Sequence, residues 1–401
     1  MKASAGKRVL MLIENTTYPL DLRVRHEATA LTRAGYQVSV ICQRGQNEPS
    51  RENINDVFVY RYPRPLQGRR FLGYAIEYIY SFIATFFLSL VVWSQRGFDI
   101  IHTANPPDTA VFLALFYRLF GIKFVFDHHD LAPDMYMVRS GKPGNRTVYR
   151  FLRWMEKISF RFAHHIISTN QSYKRIAIER GQVPESRVSV VRNGPALDRL
   201  KLVPPDAELK AKGVVIIGYI GVMGPQDGLD YLLRALHHLS TTLGRRDFYA
   251  ILIGKGSALP DLRRLASDLG LDPYMRFTGF ISEQDMIRYM STIDIGVDPD
   301  PANGFNDWCT MIKMMEYMAL SKPIVAFDLP EHRVTAGEAA LYARPNDELD
   351  FARQIQILMD TPELRRKMGE IGRNRVETKL AWPYQVKHLL AAYEKITAGN
   401  K

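Results

Sequence analysis

Lys313 and Glu316 stand three residues apart in a stretch, Thr310 to Leu320, whose apolar spacing predicts a helix, so both side chains share one face of it. Asn306, Asp307 and Thr310 are candidate caps for that helix, and the unpaired N–H groups of its first turn, those of Thr310 and Met311 among them, would bind a phosphate. A cation beside a bound diphosphate, with a carboxylate set back to hold ribose hydroxyls, describes a nucleoside-diphosphate site. An ordinary capped helix with a solvated lysine and glutamate satisfies the same spacing, so spacing alone leaves both readings open.

The second candidate is His129. Lys123 to Asp127 predicts a short strand, and His128-His129-Asp130-Leu131-Ala132-Pro133 follows at its carboxyl end, where a parallel sheet places its ligands. A histidine there can hydrogen-bond a sugar hydroxyl and position it without acting as a base. Adjacent histidines on an extended segment point to opposite sides, which argues against a metal ion shared by His128 and His129. No metal is expected, and a structural histidine pair is the alternative.

Strands and helices must hold these groups. Ile293–Val297 and Pro323–Phe327 read as strands flanking the Lys313 helix, a βαβ unit with its loop at the carboxyl end of the first strand. Residues 8–42 give strand, loop, helix and strand, with Gly35 closing the helix. The second half repeats this from Val214–Ile220, through a loop holding Gly221, Gly224 and Gly228, to a helix from Leu229. Those glycines would let backbone amides approach a phosphate, although a structural turn explains them as well. Two similar α/β halves imply two doubly wound Rossmann-like domains facing a cleft. The expected boundaries are 1–198 for the first domain, 199–212 for a linker with Pro204-Pro205, and 213–381 for the second.

The run Lys313-Met-Met-Glu-Tyr-Met-Ala-Leu-Ser-Lys-Pro-Ile-Val resembles the donor-site segment of the retaining glycosyltransferases of family 4, which have the GT-B fold and act in surface-polysaccharide synthesis. His129-Asp-Leu-Ala-Pro is similar to the H-D-L-x-P segment of that family, whose histidine lies beside the donor sugar, and Asn193-Gly194 to the N-G that closes its first domain. Asp21-Leu-Arg23-Val resembles the D-x-R-V opening of one branch, which makes Asp21 and Arg23 candidates for acceptor or phosphate contacts, a helix cap and a surface arginine being the plainer reading. By the resemblance, Lys313 and the Thr310 and Met311 amides hold the donor diphosphate. Glu316 holds ribose, Gly221 and Gly224 line the donor, and amides near Gly279 contact the base. The helix 382–401 returns to the first domain. The chain departs from the family in two places. Trp308, with Asp307 beside it, stands where a first glutamate is usual, and Val222 or Met223 and Asp227 stand where the glycine loop usually carries arginine and lysine.

Bulk properties favour anionic partners. The chain has 401 residues, 46 % apolar, with a formal net charge of +11. No nucleic-acid motif with interleaved aromatics is present, so phosphate-bearing substrates or acidic lipid are preferred. Cys42 and Cys309 lack metal-ligand spacing and suit a reducing compartment. Residues 71–93 are apolar but for Glu77 and follow Arg61, Arg64, Arg69 and Arg70, which predicts an interfacial helix in preference to a buried core helix or a membrane span. Met135 to Arg161 carries seven basic residues against Glu156, and Arg146, Arg150, Arg153, Lys157 and Arg161 follow helical spacing. That stripe suits an anionic leaflet, while Phe151, Trp154 and Ile158 can face elsewhere.

Together these features imply a retaining, metal-independent glycosyltransferase that moves a sugar from a nucleoside-diphosphate donor to a lipid-linked, polyprenyl-diphosphate glycan. It would be cytoplasmic and peripheral on the inner face of the plasma membrane, with no cofactor and no nucleic-acid partner. A nucleotide-sugar epimerase of the same architecture and an inactive transferase-like scaffold are the rivals, the latter suggested by the missing glutamate and cations.

Overall fold

Segments such as Val9-Leu10-Met11-Leu12 and Ile324-Val325-Ala326-Phe327 are apolar at every position, and all eight of these side chains are buried, as strands covered on both faces require. The computed structural model describes residues 7–65, 71–139 and 144–398. It divides into unit 1, made of Met1–Met135, Asn145–Asn193 and Gln385–Lys401, and unit 2, made of Tyr136–Gly144 and Gly194–Tyr384.

Unit 1 holds β1 (Arg8–Leu12), β2 (Gln37–Gln43), β3 (Arg51–Ile54), β4 (Val57–Tyr62), β5 (Ile100–Ala104), β6 (Lys123–His128), β7 (His165–Ser168) and β8 (Val188–Val190). Their order is β3-β4-β2-β1-β5-β6-β7-β8, parallel except for β3, which pairs antiparallel with β4. Unit 2 holds β9 (Val215–Ile220), β10 (Phe248–Ile253), β11 (Met275–Gly279), β12 (Ile295–Asp298), β13 (Ile324–Phe327) and β14 (Ala340–Ala343) in the order β11-β10-β9-β12-β13-β14, all parallel. Strand order reverses between β1 and β5 in one sheet and between β9 and β12 in the other. These switch points open the crevices where such sheets bind ligands.

Five helices of the first half matter below: α1 (Leu22–Arg33), α2 (Phe71–Gln95), α3 (Ala110–Arg118), α4 (Ala132–Arg139) and α5 (Arg146–Phe162). The expected apolar segment is α2, and its described part Ile76–Gln95 is long and apolar enough to cross a membrane. Ser89 and Val92 are buried and Trp93 packs against Tyr117 at 5.3 Å, whereas Ile76, Ile79, Ile83 and Phe87 are exposed on the opposite side. A fully buried core helix is therefore excluded. Of the arginines expected to flank it, Arg61 is buried and paired with Glu48 and Glu52, Arg64 is exposed, and Arg69 and Arg70 lie outside the described residues.

In α5 the buried side is Met155, Glu156, Ser159 and Phe160. Phe151 and Trp154 do not turn into the core: both are half exposed, with ring centroids 5.9 Å apart, beside exposed Arg150 and Lys157.

Candidate active site

The loop after β12 carries Asp298-Pro-Asp300, then a 3-10 turn Asn306–Trp308, then a helix Ile312–Ala319. The expected caps do not cap. Met311 occupies the N-cap with no side-chain hydrogen bond, because the loop spends its polar groups on itself. Asn303 Oδ1 accepts from the Phe305 and Asn306 amides at 2.9 and 2.8 Å, and Asp307 Oδ1 accepts from Asn303 N at 3.3 Å. Thr310 Oγ1 donates to Glu331 at 3.2 Å. The helix thus begins two residues later than expected, with no side-chain acceptor closing its first turn.

Lys313 is not a solvated cation. Its ammonium lies 3.1 Å from Asp298 Oδ1 and 3.0 Å from Asp300 Oδ1, with only 10 % of the side chain exposed. Burial disfavours every charge here, yet the two carboxylates outweigh it and hold Lys313 well above its ordinary pKa. Asp298 stays below the usual carboxylate range because Lys313 and His332 together overcome its burial. Asp300 is driven well above that range by burial and by Asp298. Lys313 is the partly exposed member of this buried cluster, and so the member an arriving anion would meet. His332 Nδ1 donates to Phe327 O at 2.9 Å, and its Nε2 lies 3.7 Å from Asp298 Oδ2.

Glu316 follows on the same helix, its side chain 14 % exposed, with Arg199 Nη2 3.9 Å away. Burial pushes its carboxyl up, against Arg199. The bland reading of a solvated Lys–Glu pair is thus wrong for both residues.

The glycine loop after β9 borders this cluster. A Cβ on Gly221 would meet Lys313 Cε at 3.6 Å, and one on Gly228 (φ +64°) would strike Pro299 O at 2.1 Å. Asp227, where the family carries a cation, caps the Gly224 amide at 2.7 Å, and Asn306 Nδ2 ties the two loops by donating to Gln226 O at 2.9 Å and Pro301 O at 3.0 Å. Spacing pointed to neither Asp298 nor Asp300, and to Asn306 only as a helix cap. It also passed over Lys255, exposed at the carboxyl end of β10 with its ammonium 4.7 Å from the ring centroid of exposed Phe280, which follows Gly279 (φ +72°).

In unit 1 the paired histidines diverge as extended backbone dictates. His128 is buried against Phe126, Phe160 and Tyr173, while His129 keeps 18 % of its side chain exposed. His129 Nδ1 lies 3.3 Å from Asp127 Oδ2, and that carboxylate outweighs burial and lifts the imidazole pKa to about 9. Asp21 takes the plainer of its two expected roles, and Arg23 takes neither of its own. Asp21 is the N-cap of α1, accepting from Val24 N at 2.9 Å. Arg23 is buried, with Nε and Nη2 each 2.6 Å from an Asp127 oxygen, Nη1 on Val191 O and Asn193 Oδ1, and Nη2 also 3.2 Å from Glu27, so it is turned wholly to protein groups.

Two buried groups, Glu27/His102/Asp127 and Asp298/Asp300/His332, bring carboxylate and imidazole atoms within 4.8 Å of one another, close enough to hold a metal ion. In each a protein cation, Arg23 or Lys313, already pairs with both carboxylates.

Beside the switch point of unit 1, between α2 and α3, a small, partly open pocket is lined mainly by apolar groups including Leu12, Phe82, Ala104 and Leu113. Glu14 also lines it, and burial pushes that carboxyl up to about 8.

Residues 21–194 match the model of the glycosyl transferase 4-like domain, and residues 214–361 match that of glycosyl transferases group 1. Over an alignment of 404 positions that covers 94 % of each chain, the protein is 23 % identical to the MMP alpha-(1->4)-mannosyltransferase of Mycolicibacterium hassiacum. Sucrose-phosphate synthase from Thermosynechococcus elongatus superposes with a TM-score of 0.79 at 18 % identity, over 98 % of this chain and all of that one. Anabaena HepE, solved in complex with UDP and glucose, gives 0.72 at 15 % identity over 97 % of this chain and all of that one. With two Rossmann-like units of the GT-B fold and both halves matched, the chain belongs to the group 1 family of glycosyltransferases.

Proposed function

We propose that the protein transfers a sugar, with retention of configuration, from a nucleoside-diphosphate donor to a lipid-linked glycan acceptor of the polyprenyl-diphosphate type in surface-polysaccharide synthesis. The observation that carries this is the Lys313–Glu316 face at the β9/β12 switch point. There Lys313, anchored by Asp298 and Asp300, offers an ammonium to a diphosphate, the uncapped amides from Met311 onward add donors, and Glu316 stands one turn along for ribose hydroxyls. Lys255 adds a free-standing positive charge that the glycine loop lacks, beside Phe280, whose exposed ring suits a base.

His129 acts on the donor sugar. Held as an imidazolium by Asp127, it donates hydrogen bonds and is unfit as a general base. That fits attack on the face the leaving diphosphate vacates better than a base-assisted inversion. The carboxylates already have internal cations, so no metal is required, and activity is expected to survive EDTA.

A lipid-linked acceptor is supported by the surface of unit 1. Exposed Ile76, Ile79, Ile83 and Phe87 on α2 and the Phe151–Trp154 pair among the basic residues of α5 combine apolar and cationic groups suited to an anionic leaflet. Peripheral attachment to the inner face of the plasma membrane follows, with Trp154→Ser expected to weaken binding to vesicles of anionic phospholipid while leaving folding unchanged.

The test is nucleotide release from UDP-, GDP- and dTDP-sugars, with and without polyprenyl-diphosphate glycans. Acceptor-dependent release from one donor is expected. A folded protein that neither releases nor binds any nucleotide would instead be an inactive scaffold.

A further inference from the structure

Asp127 ends a buried strand with both carboxylate oxygens gripped by one guanidinium, Oδ1 by Arg23 Nη2 and Oδ2 by Arg23 Nε, each at 2.6 Å. A bidentate pair of this kind fixes the carboxylate plane. Arg23 is itself fixed from behind, donating to Val191 O at 3.0 Å and Asn193 Oδ1 at 2.6 Å. Glu27, one turn along α1, lies 3.2 Å from Arg23 and 3.3 Å from His102 Nε2. His102 Nδ1 lies 2.7 Å from the hydroxyl of Tyr393, on the C-terminal helix Trp382–Ala398. With that hydroxyl as donor, the His102 proton sits on Nε2, facing Glu27 and, at 3.8 Å, Asp127. A further clamp acts on the main chain. Asn105, buried at the end of β5, accepts from the His129 and Asp130 amides at 2.9 and 3.0 Å and donates to Asp130 O at 2.8 Å.

We infer that Asp127, with Arg23, Glu27, His102 and Tyr393 behind it and Asn105 on the backbone, is a positioning assembly for His129, fixing its ring and keeping Nδ1–H on Asp127 so that Nε2–H is the donor left for a sugar oxygen. This rests on the reading that His129 acts on the donor sugar. The side chains of Glu27, His102, Asp127 and Tyr393 are wholly buried, and His129 is the partly exposed ring at the end of the chain of contacts. A buried ionic cluster is poor value for stability alone, since apolar residues of similar volume usually serve as well. The arrangement also gives the D-x-R-V motif and Glu27 a use that a phosphate contact does not.

The charged and titratable groups facing His129 are Asp127 and Asp130 from β6 and its loop, Arg23 and Glu27 from α1, and His102 and Tyr393 behind Asp127. Among them Asp127 is the anion in contact with the ring. In the wild type His129 stays protonated through neutral pH and loses its proton near 9. Without the Asp127 charge, burial and Arg23 are opposed only by Asp130, and the pKa of the ring falls.

The experiment follows the His129 imidazole by NMR against pH in the full-length protein without substrate, assigning it through His129→Gln, and separately measures kcat and KM against pH. Asp127→Asn is expected to move the His129 titration, and the alkaline limb of kcat, down by about two pH units or more. It should cut kcat at pH 7.5 about 10- to 100-fold, with KM little changed. Asn105→Ala should lower kcat without moving the limb, and Tyr393→Phe should give a smaller loss, so the inference survives a poorly folding Asp127 variant. A folded Asp127→Asn protein whose His129 titration and kcat profile match the wild type would overturn the inference. So would a moved titration with transfer undiminished. A moved titration in a protein that transfers no sugar would retain the assembly and reject the transferase role instead.

Discussion

Each unit buries one cation between two carboxylates and a histidine, and the two clusters differ in which member reaches the surface. In unit 1 the cation is Arg23, almost wholly enclosed, and the partly exposed group is His129, attached through Asp127. In unit 2 the cation is Lys313, itself the member at the edge, while Asp298, Asp300 and His332 lie wholly behind it. Arginine cannot give up its proton and locks a carboxylate in a plane, which suits a fixed support. Lysine is a point charge with three donors, able to keep its aspartates and still meet an oxyanion. The same components thus build a holder in one unit and a contact in the other.

Removing the cation from each cluster tests that contrast most severely. Lys313→Met and Arg23→Met should each cost about 3–5 kcal/mol in urea denaturation, because each strands buried carboxylates. Nucleoside-diphosphate affinity should collapse only in the Lys313 variant. If Lys313→Met binds nucleotide normally, unit 2 is a holder too and the contrast fails. Glu316→Gln has a smaller expected effect, about 1.5–3 kcal/mol of nucleotide affinity by calorimetry, the worth of a hydrogen bond to a charged group. Stability should change little, since burial already disfavours that charge. Smallest is Gly228→Ala. The left-handed backbone alone should cost about 1–2 kcal/mol in thermal or urea melts, and the clash with Pro299 O should also loosen the glycine loop and weaken nucleotide binding. Equal stability would mean that the loop is not set by that contact.

The architecture was legible because buried parallel strands are written as short apolar runs, and each one expected from the sequence is present within three residues of its predicted ends. β3 escaped notice because Arg51-Glu-Asn-Ile54 is an exposed polar edge strand with no alternating pattern. The candidate residues were legible as positions and less so as states. Spacing placed Lys313 and Glu316 on one face, but nothing local reveals that Asp298 and Asp300, 15 and 13 residues earlier, return to the lysine. Arg23 misled for the same reason, its partner Asp127 lying 104 residues away. A repeated Asp-Pro directly after a buried strand was the signal for the Lys313 cluster. A charged residue in D-x-R-V on the inward side of an otherwise apolar helix face was the signal for Arg23. The sequence set Phe151 and Trp154 only apart from the basic stripe; the structure leaves both exposed beside Arg150 and Lys157, the inward side of α5 being taken by Met155 and Phe160.

The most direct test of the division between the units is titration calorimetry of the cognate nucleoside diphosphate, without sugar, into wild type, Glu316→Gln and His129→Ala, followed by turnover of the nucleotide sugar in the same proteins. Nucleotide affinity should fall at least about tenfold in Glu316→Gln and stay at the wild-type value in His129→Ala, while turnover is lost in both. Equal loss of nucleotide affinity in the two variants, or full turnover in His129→Ala, would contradict it.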